Sequence, residues 1–446
     1  MAIILASAPR ILAYRALLAA EKDDSLYIND VLREALNKGT LSVQEKRWTT
    51  ELVYGTTRMK LQLDAMIQTA FKGRYRKAQH AVKVLLRMGT FQLKQMQTAE
   101  HAAIHETVDL CRKVKQGGAA RLVNAILRQM QKLSIEDLLA AIDDPITRLS
   151  VQTSHPEWML KKWSLRYTED EVLKLCKHNN SVPKTWIRRN PMLVEQPVFE
   201  DFLRSIGVSY DQSELLPNFY EVSGGGSLLG SKEFYMGWFS FQDIAAGLCA
   251  YILDPQPDDI IIDACSAPGG KLSMLYELTG GAADVSAFDV SRARLQKVSE
   301  TIQRLRLEGV KVAELDASSQ KLPGANRILI DVPCSGTGVL NRRPDARWKR
   351  QETDVDALVE IQTKIFQNVW KSLTPGGCLV YSTCTLEPEE NWNLIDSLLS
   401  TLEDAEIDGI KAEKLKPYID ERGALATLPW IHAMDGMFAI KIRKSI

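Results

Sequence analysis

The sequence has little of what organises small disulfide-bonded or zinc-binding domains. Its seven cysteines among 446 residues include no CxxC pair and show no regular spacing, which excludes a disulfide framework and a structural zinc site. The six histidines are scattered and form no metal-ligand pattern. We therefore expect a protein without a metal, kept in a reducing compartment, the cytoplasm.

Long apolar runs are also missing, since no segment approaches the roughly 18 uninterrupted apolar residues of a membrane span. The N-terminal stretch MAIILASAPRILAYRALLAA lacks acids, but Arg10 and Arg15 interrupt it and argue against an export signal. The spacing predicts instead an amphipathic helix with Ser7 as its N-cap and Pro9 in its first turn. Its apolar face would contain Ile11, Tyr14 and Leu18. We expect no membrane association.

A net charge is absent as well, because Lys and Arg together number 56 and Asp and Glu also number 56. The charges are nevertheless unevenly placed: residues 1–135 hold 22 basic against 11 acidic side chains, which leaves 34 against 45 for the remainder. A basic module joined to an acidic one indicates that the first part binds a polyanion such as a nucleic acid. A merely solubilising surface is the alternative.

Apolar residues at three- and four-residue spacing predict helices through most of residues 7–140. We divide the chain into an all-helical domain at 1–140, a helical linker with a small α+β subdomain at 141–235, and a larger domain at 236–446. The change of texture follows Pro183, where short strand and turn patterns replace the helical ones.

Strand, glycine-containing turn and helix alternate beyond residue 240. The segments DIIIDACSAPGGKLSMLYELTG and ADVSAFDVSRARLQKVSETIQRL each contain one such unit, and NRILIDVPCSG and GGCLVYSTCT add further strands. The pattern predicts a doubly wound α/β sheet, whose ligands bind beyond the carboxyl ends of the strands.

The segment IIIDACSAPGGK, residues 260–271, has the composition of a ligand-binding turn. A buried strand ends at Asp263, and Gly269 and Gly270 allow close approach to the backbone before a helix begins. The spacing differs from the dinucleotide motif GxGxxG. The residues therefore leave two interpretations open, a nucleotide-like cofactor or a tight turn without a ligand.

Acidic residues recur at four successive strand ends, namely Asp263, Asp289, Asp316 and Asp331. Each one alone could be a helix cap, but together they could bind the hydroxyls and adenine amino group of a nucleoside. Four carboxylates would repel phosphate, which favours S-adenosylmethionine over NAD or ATP.

Four motifs then indicate a family. DACSAPGGK, DVPCSGTG, RRPDARW and YSTCTLEPEEN, within about residues 180–446, resemble the motif set of the RNA cytosine-5 methyltransferases of the bacterial Sun/Fmu, eukaryotic nucleolar and NSUN group. VYGTTRMKLQLDAMI, RMGTFQLKQM, HAAIHETVDL and RLVNAILRQM resemble the NusB antitermination-factor fold. A NusB-like domain before this core is similar to the bacterial 16S ribosomal RNA cytosine-5 methyltransferases of the Sun/Fmu (RsmB) type.

The resemblance implies a class I, Rossmann-like methyltransferase sheet of seven strands, the last antiparallel, for which DGMFAIKIRK at 435–444 is a suitable final strand. It also implies the reaction, which transfers a methyl group from S-adenosylmethionine to carbon 5 of a cytidine in 16S ribosomal RNA and leaves S-adenosylhomocysteine. The helical domain would dock the RNA, and we expect the protein to act as a monomer.

Carbon 5 of cytosine is too weak a nucleophile to take the methyl group unaided, so a thiolate must first add to carbon 6. In the RNA enzymes the cysteine of the TC motif attacks, which corresponds to Cys384, while the PC-motif cysteine, Cys334, assists breakdown of the adduct. Asp331 would hold the base at N3 and N4 and stabilise the developing charge. The DNA enzymes attack with their PC cysteine, so residue types alone leave the order of the two thiols open.

The cofactor residues that the resemblance implies lie in the turn and at the strand ends. They are Cys265, Ser266, Ala267, Pro268, Gly269, Gly270, Lys271, Asp289, Arg294, Asp316 and Asp331. Ser266 stands where the family usually has alanine, a small departure that leaves the turn intact. Lys271 would contact the cofactor or the carboxylates, with a solvated helix residue as the alternative. Gln242 and Asp243 in FQDIAAG are further candidates.

The segment NRRPDARWKR, residues 341–350, surrounds Trp348 with five cations. It could clamp phosphates and stack a base, or it could be an amphipathic loop held in place by Trp348. Most other thiols are expected to be small buried hydrophobes, and Cys265 has this role as its alternative. These thiols belong to Cys111, Cys176, Cys249 and Cys378.

Two rival functions are open at this point. An amino-group methyltransferase of the same fold should end its fourth strand with an Asn- or Asp-Pro-Pro-aromatic turn, whereas this chain has DVPC. A non-enzymatic RNA-binding or antitermination-like factor is suggested by the N-terminal domain alone.

Overall fold

The structure, a computed structural model, describes residues 8–446 except 39, 97 and 224, so the predicted Ser7 cap lies outside the described residues. The chain divides into two compact units. One runs to Val182 and also includes Leu340–Arg350, and the other comprises Pro183–Val339 and Gln351–Ile446. The division into three domains at residues 140 and 235 stays a prediction. Among the described residues, no helix has the length and apolar character needed to span a bilayer.

The first unit is built from helices. In the described residues they are α1 (Ala8–Lys22), α2 (Ile28–Lys38), α3 (Val43–Arg58), α4 (Lys60–Ala70), α5 (His80–Lys94), α6 (Glu100–Lys113), α7 (Ala120–Lys132), α8 (Ile135–Ala140), α9 (Pro145–Thr153), α10 (Glu157–Ser164), α11 (Glu169–Asn179) and a single helical turn at Ala346–Lys349. The start of α3 shows how local sequence sets these bounds: the Glu45 backbone NH donates to Ser42 Oγ, and the Glu45 carboxyl accepts from the Ser42 backbone NH. This reciprocal pair satisfies two backbone groups that a helix start leaves without partners.

The predicted N-terminal helix is confirmed as α1, but its buried face differs from the expectation. Tyr14 and Leu17 are buried in the helical core, whereas Ile11 and Leu18 are only partly buried. The small residue Ala13, which the expected face omitted, is fully buried because close packing of α1 against α3 and α5 favours a short side chain there.

Arg10, which interrupts the apolar N-terminal stretch in the sequence, is itself buried. Its Nε donates to Oε1 of Gln92 at 3.0 Å, and its guanidinium lies over the Trp48 ring, 4.7 Å from the centroid. Burial lowers the pKa of this guanidinium, an effect that Glu106 opposes. The arginine is therefore part of the folded helical core.

A network of charges joins α1, α4 and α5. Arg87 donates to both carboxyl oxygens of Asp64, at 2.6 and 2.7 Å, and lies 3.0 Å from Glu21. Lys60 pairs with Glu21 at 3.1 Å, and the Tyr75 hydroxyl donates to Asp64 at 2.6 Å. Burial alone would raise the pKa of Glu21, but Arg87 and Lys60 outweigh it and lower the pKa from 4.5 to about 2. Every charge in the network thus has an opposite partner.

The segment Leu340–Arg350 packs within this helical unit although it lies far along the chain. The carboxyl of Asp345 accepts a hydrogen bond from the backbone NH of Ile28 at 2.8 Å, at the start of α2. The indole Nε1 of Trp348 donates to the carbonyl of Thr57 at 2.6 Å. These contacts satisfy a free NH at one helix start and a carbonyl at the end of another.

Arg347 is fully buried in the same unit. Its Nη1 donates to the Ser154 carbonyl at 3.1 Å and to Asn180 Oδ1 at 2.8 Å, and its Nη2 donates to the Asn179 carbonyl at 3.0 Å. Arg347 and Trp348 are therefore engaged in packing. Of the two interpretations of NRRPDARWKR, the structure supports the amphipathic loop held by Trp348. The phosphate clamp is wrong for the fully buried Arg347, whereas base stacking by the half-buried Trp348 stays a prediction.

The second unit begins with a small α+β subdomain, as predicted. Its elements are β1 (Thr185–Arg189), α12 (Gln196–Ser205), β2 (Ser209–Gln212), β3 (Phe219–Ser223), α13 (Lys232–Tyr235) and β4 (Phe239–Phe241). The four strands form an antiparallel sheet in the order β2-β3-β1-β4. Aromatic residues fill its core, where the Phe199 ring lies 5.3 Å from that of Tyr220 and 5.9 Å from that of Phe239.

A larger sheet with helices follows. Its elements are α14 (Ile244–Tyr251), β5 (Ile260–Asp263), α15 (Gly270–Leu278), β6 (Asp284–Asp289), α16 (Arg292–Leu305), β7 (Lys311–Glu314), β8 (Ala325–Asp331), α17 (Thr353–Trp370), β9 (Leu373–Thr383), α18 (Trp392–Leu399), β10 (Ala405–Ile407), β11 (Leu425–Thr427), α19 (Pro429–His432) and β12 (Met437–Lys444). The strand order is β10-β12-β9-β8-β5-β6-β7. Strands β5 to β9 pair in parallel, and β12 is antiparallel to β9.

The expected seven-stranded sheet with an antiparallel final strand is confirmed, and β12 coincides with DGMFAIKIRK. The short strand β11 pairs only with β12 and adds an eighth strand that the sequence pattern did not reveal. Successive residues of one strand face opposite sides, as Ile261 and Ile262 show by packing into two different apolar clusters. Helices cover both faces, which accounts for the continuous apolar character of the parallel strands.

Glu21 gives the helical unit a specific acid sensitivity. Because its pKa is about 2 in the folded protein and 4.5 ordinarily, the ionised carboxylate stabilises the fold above about pH 4.5, and that contribution is lost as the pH falls toward about 2. We expect Glu21→Gln to lower the free energy of unfolding near neutral pH by about 2 kcal/mol. The difference should shrink below about pH 4.5 and disappear only below about pH 2, where the folded protein also protonates Glu21.

Urea unfolding of the full chain at several pH values measures this difference. The exposed Glu51 provides a matched control, because Glu51→Gln changes the same functional group outside the network. Equal pH dependence of wild type and Glu21→Gln would contradict the stabilising role of the network.

Candidate active site

The candidate site lies at the carboxyl ends of the parallel strands β5, β6, β8 and β9. In an open α/β sheet these ends form the crevice where ligands bind. Register places Asp331 at the end of β8 beside Ser382 on β9, and Asp263 at the end of β5 beside Ala287 on β6. The chain therefore brings its strand-end acids to one edge of the sheet.

The turn between β5 and α15 contains two consecutive glycines, Gly269 and Gly270. Gly269 has φ of +98° and precedes α15, a conformation that residues with a side chain rarely adopt. A Cβ at Gly270 would meet its nearest neighbour, Gln242, at 3.9 Å, an ordinary van der Waals contact, so the helix start is not crowded. This geometry allows a ligand to approach the backbone.

Asp289 holds the turn from the next strand. Its buried carboxylate accepts from the backbone NH groups of Ala267, at 3.3 Å, and Ser291, at 3.1 Å. Arg294 lies 3.4 Å from the same carboxylate and also donates to the Ala267 carbonyl at 3.1 Å. Three predicted cofactor residues are thus brought together, and Asp289 is more than a helix cap.

Asp316 accepts hydrogen bonds from the turn that directly follows it. Its Oδ1 accepts from the backbone NH and hydroxyl of Ser318, at 2.9 and 2.6 Å, and its Oδ2 accepts from the Ser319 hydroxyl at 2.8 Å. These hydrogen bonds lower the pKa of Asp316. The predicted contact of Asp316 with a cofactor stays a prediction.

Asp331 and Lys271 form an ion pair at the centre of the crevice, with Nζ and Oδ2 2.6 Å apart. The other oxygen, Oδ1, accepts from the Ser382 hydroxyl at 2.9 Å. Burial opposes the charge of Lys271, but the Asp331 carboxylate outweighs it and raises the lysine pKa. The structure therefore supports the expectation that Lys271 contacts an active-site carboxylate.

Cys334 and Cys384 are neighbours, with their Sγ atoms 3.2 Å apart. Both are partly exposed, whereas Cys111, Cys176, Cys249 and Cys378 are buried, as expected for structural thiols. The hydrogen bond with Cys384, followed by burial, raises the pKa of Cys334 well above its ordinary value. Cys265 is also partly buried, and burial followed by Asp263 raises the pKa of its thiol.

Asp263 is a buried acid in the same turn region, 1% exposed. Neither carboxyl oxygen makes a hydrogen bond of normal geometry to a described residue, although the Cys265 backbone NH lies near enough to stabilise the charge slightly. Burial, with the like charge of Asp331, raises the pKa of Asp263 from 3.8 to about 7. A buried acid with spare acceptor capacity is suited to a cationic or hydrogen-bond-donating ligand.

Gln242 and Asp243 differ in their roles. Gln242 accepts a hydrogen bond from the buried Arg188, which also donates to the Gly270 carbonyl at 3.0 Å and pairs with Glu277 at 2.8 Å. Asp243 caps α14, where its Oδ1 accepts from the Ala245 NH at 2.9 Å. The structure therefore places Gln242 beside the cofactor turn and gives Asp243 a local structural role.

Sequence reasoning missed the polar residues behind the two thiols. Glu390 is fully buried and accepts hydrogen bonds from the backbone NH of Ser335 and from Gln362, at 2.8 and 2.9 Å. The motif YSTCTLEPEEN contains Glu390, but three glutamates occur there within four residues. The sequence offers no signal that singles out the last of them.

The turn fits a nucleoside cofactor with positive charge better than a phosphate. Asp263, Asp289 and Asp331 surround it with carboxyl groups, and the glycines open the backbone for close approach. The sheet order, with an antiparallel strand inserted beside β9, together with this turn, defines a class I methyltransferase.

Comparison with known proteins narrows the class to a family. The 16S rRNA methyltransferase RsmB/F family matches residues 250–443, and the NusB family matches residues 7–132. A probable ribosomal RNA small subunit methyltransferase B of Bacillus subtilis (strain 168) is 32% identical over 444 residues, 98% of each chain. The ribosomal RNA small subunit methyltransferase B of Pseudomonas putida is 33% identical over 88% of this chain and 89% of its own. The chain belongs to the RsmB/F family of 16S rRNA methyltransferases.

Solved structures agree on the fold. The protein designated PH0851 matches with a TM-score of 0.85 at 20% identity, over 99% of this chain and 100% of that one. NSun6 from Pyrococcus horikoshii, solved with SFG, matches with a TM-score of 0.58 at 22% identity, over 64% of this chain and 97% of that one. The methyltransferase and NusB-like folds predicted from the sequence are confirmed.

Asp263 makes the catalytic unit lose stability as the pH rises. Its folded pKa of about 7 exceeds its ordinary value of 3.8, so the unfolded chain releases the proton first and the folded state becomes less favourable between these values. We expect Asp263→Asn to be more stable than the wild type near pH 8 and equally stable near pH 4.

Thermal unfolding across this pH range measures the effect, and the exposed neighbour Asp258 provides the control variant Asp258→Asn. A wild type and an Asp263→Asn variant with parallel pH profiles would show that burial does not hold the proton on Asp263.

Proposed function

We propose that the protein transfers a methyl group from S-adenosylmethionine to carbon 5 of a cytidine in 16S ribosomal RNA through a covalent cysteine adduct at carbon 6. Membership of the RsmB/F family supports the class of substrate. The single observation that carries the cytosine-5 assignment is the 3.2 Å pair of Cys334 and Cys384 at the edge that also holds Asp331.

A pair of thiols suits this reaction better than a transfer to an amino group. An amino nitrogen has its own lone pair and needs no covalent activation, whereas carbon 5 gains nucleophilic character only after a thiolate adds to carbon 6. Strand β8 also ends in DVPC, without the Pro-Pro-aromatic turn of the amino-group enzymes. The intact cofactor turn argues equally against a purely RNA-binding role.

The assignment of Cys384 as the nucleophile follows the resemblance to the RNA enzymes, in which the TC-motif cysteine attacks. The two Sγ atoms lie 3.2 Å apart, close enough for one thiol to donate to the other, and this contact raises the pKa of Cys334. The Cys384 backbone NH donates to Cys334 at 3.3 Å and opposes this shift only weakly. The Lys271 ammonium lies within electrostatic reach of Cys384 and would favour its thiolate form.

The residues have distinct roles in the proposed reaction. Cys384 adds its sulfur to carbon 6, and Asp331 binds the base at its N3 and N4 edge, where charge develops. S-adenosylmethionine, when bound, supplies the electrophilic methyl group that carbon 5 takes. Loss of the carbon 5 proton and departure of Cys384 as thiolate then restore the aromatic ring, a stage at which the adjacent Cys334 assists.

Cofactor binding is assigned to the turn and the acids around it. Asp289 would accept from ribose hydroxyls, and Lys271 with Asp331 would border the methionine portion. Residues Cys265 to Gly270 provide the backbone surface, and Arg294 holds the turn closed against Asp289. NSun6 from Pyrococcus horikoshii, solved with SFG, an analogue of S-adenosylmethionine, supports this class of cofactor.

The proposed function is tested by incubating the full chain with labelled S-adenosylmethionine and unmodified 16S ribosomal RNA. Digestion to nucleosides and mass analysis should yield 5-methylcytidine. Label on the exocyclic amine of any base would identify an amino-group enzyme instead. Absence of label with RNA still bound would support the binding-factor alternative.

The roles of the two thiols lead to opposite variant phenotypes. We expect Cys384→Ala to form no adduct and no product while it still binds the cofactor. Cys334→Ala should add and methylate but release slowly, so that RNA remains covalently joined to the protein as a denaturation-resistant band of reduced mobility. Asp331→Ala should suppress that band in the Cys334→Ala background, because the adduct loses its stabilising contact.

The control for this series is Cys111→Ala, which removes a buried thiol of the helical unit and should leave product formation unchanged. A trapped adduct from Cys384→Ala and none from Cys334→Ala would assign the nucleophile to the PC motif. Methylation intact in both variants would rule out the covalent route.

We further propose that the helical unit docks the RNA. Four exposed cations lie together between α4 and α5, namely Lys72, Arg74, Arg76 and Lys77. The buried Tyr75 anchors this turn through its hydrogen bond to Asp64. The excess of basic residues in the N-terminal region thus includes four clustered, exposed cations, which are suited to contacts with phosphates.

Replacing these four cations by alanine should weaken binding of 16S ribosomal RNA and lower the slope of log affinity against log salt by up to about 3. Filter binding over a range of potassium chloride concentrations measures both effects. The matched control replaces four exposed lysines of the other unit, Lys321, Lys364, Lys371 and Lys411. An equal change of slope in both variants would assign the effect to net charge alone.

A further inference from the structure

A buried carboxylate lies behind the two thiols and takes no part in the proposed chemistry. The Glu390 side chain is fully enclosed, and burial raises its pKa, an effect that hydrogen bonds from Ser335 and Gln362 oppose. A buried acid destabilises a fold unless its oxygens are fully hydrogen-bonded. The partners that satisfy Glu390 show what the carboxylate holds in place.

The first partner is the residue that follows Cys334. Oε1 of Glu390 accepts from the Ser335 backbone NH at 2.8 Å, and Oε2 accepts from the Ser335 hydroxyl. Both oxygens thus bind the same residue, one through its backbone and one through its side chain. This pair of bonds fixes the chain direction immediately after Cys334.

The second partner is the residue that follows Cys384. The Ser335 hydroxyl lies 2.6 Å from the Thr385 hydroxyl, which in turn lies 3.0 Å from that of Thr337. Because the Ser335 hydroxyl donates its one proton to Glu390, it accepts from the Thr385 hydroxyl. One carboxylate therefore orders a hydroxyl chain that connects the loop of Cys334 with the loop of Cys384.

The hydrogen-bond network of Glu390 is also connected to helix α17 and strand β9. Gln362 on α17 donates to Glu390 at 2.9 Å and to the Pro333 carbonyl, also at 2.9 Å. The Tyr381 hydroxyl on β9 donates to the Glu390 carbonyl at 2.7 Å. The backbone that precedes Cys334 and the backbone of Glu390 are both held by these two side chains.

We propose that Glu390 is a positioning residue that sets the spacing and orientation of Cys334 and Cys384. The proposal rests on the proposed function for its catalytic consequence, but its geometric content concerns the two thiols alone. The β8–β9 pairing ends at Asp331 and Ser382, and the β9–β12 pairing ends at Thr383, so no strand pairing includes Cys334 or Cys384 themselves. The Glu390 network supplies the missing constraint across the two loops.

A bifunctional thiol reagent reports the spacing without RNA or cofactor. Dibromobimane becomes fluorescent when two neighbouring thiolates each displace one bromide, which forms two carbon–sulfur bonds and releases two bromide ions. Peptide mapping by mass measurement then confirms that the bridged cysteines are Cys334 and Cys384. The comparison uses wild type, Glu390→Ala, Glu390→Gln and, as the matched control, Glu360→Ala on the exposed face of α17.

We expect Glu390→Ala to form the bridged product about tenfold more slowly than wild type, since small displacements of reacting groups have large effects on rate. The same variant should lower kcat by a similar factor with KM for RNA and cofactor affinity unchanged. Glu390→Gln should recover most of both, because an amide can accept from the Ser335 NH and donate to its hydroxyl. Glu360→Ala should behave as wild type.

Bridging by Glu390→Ala at the wild-type rate would overturn the proposal. Loss of cofactor binding in Glu390→Ala would indicate a folding defect, in which case Ser335→Ala, which removes only the hydroxyl link, decides the question. Slower bridging by Ser335→Ala supports the proposal, and an unchanged rate refutes it. Normal bridging in the wild type without any 5-methylcytidine would refute the proposed function and leave the positioning role standing.

Discussion

The parallel pairing of β8 and β9 is the constraint on which the candidate site depends. Asp331 and Ser382 are the last residues in register, and the Val332 NH still donates to the Ser382 carbonyl at 3.1 Å. The two loops that follow must therefore leave the sheet side by side, one with Cys334 and the other with Cys384. A slip of one residue would turn every side chain of one strand to the opposite face and would separate Asp331 from Ser382.

The position of residues just after parallel strands explains why much of the site could be predicted from the sequence. An acid or cysteine that directly follows a buried parallel strand lies at the carboxyl edge of the sheet. Asp331 and the two thiols could therefore be assigned to that edge without coordinates. The N-terminal helix and β12 were predictable for a similar reason, since a periodic apolar pattern over many residues specifies its own secondary structure. Ile11 and Leu18 show the limit, because which stripe of a helix packs deepest depends on its neighbours.

Other parts of the site depend on contacts between distant residues and leave little trace in local sequence. Arg347 and Trp348 have the composition of a nucleic-acid surface, yet they pack beside Ser154 and Thr57, about 200 and 300 residues earlier, where they donate to backbone carbonyls. Asp316 differs from these two residues, because its partners Ser318 and Ser319 are local and its contact with a cofactor stays a prediction. The packing of Arg347 and Trp348 was decided by partner availability, which residue type alone does not encode.

The segment Leu340–Arg350 also bears on the modularity of the chain. A module is usually identified with one continuous stretch of polypeptide, but here the helical unit is completed by residues that follow the PC motif, and Arg347 alone satisfies two backbone carbonyls and an amide of that unit. Truncation after Val182 would leave those acceptors buried or newly hydrated without their cation. Recombination between relatives therefore preserves the helical unit only when the N-terminal region and this short internal segment are inherited from the same parent.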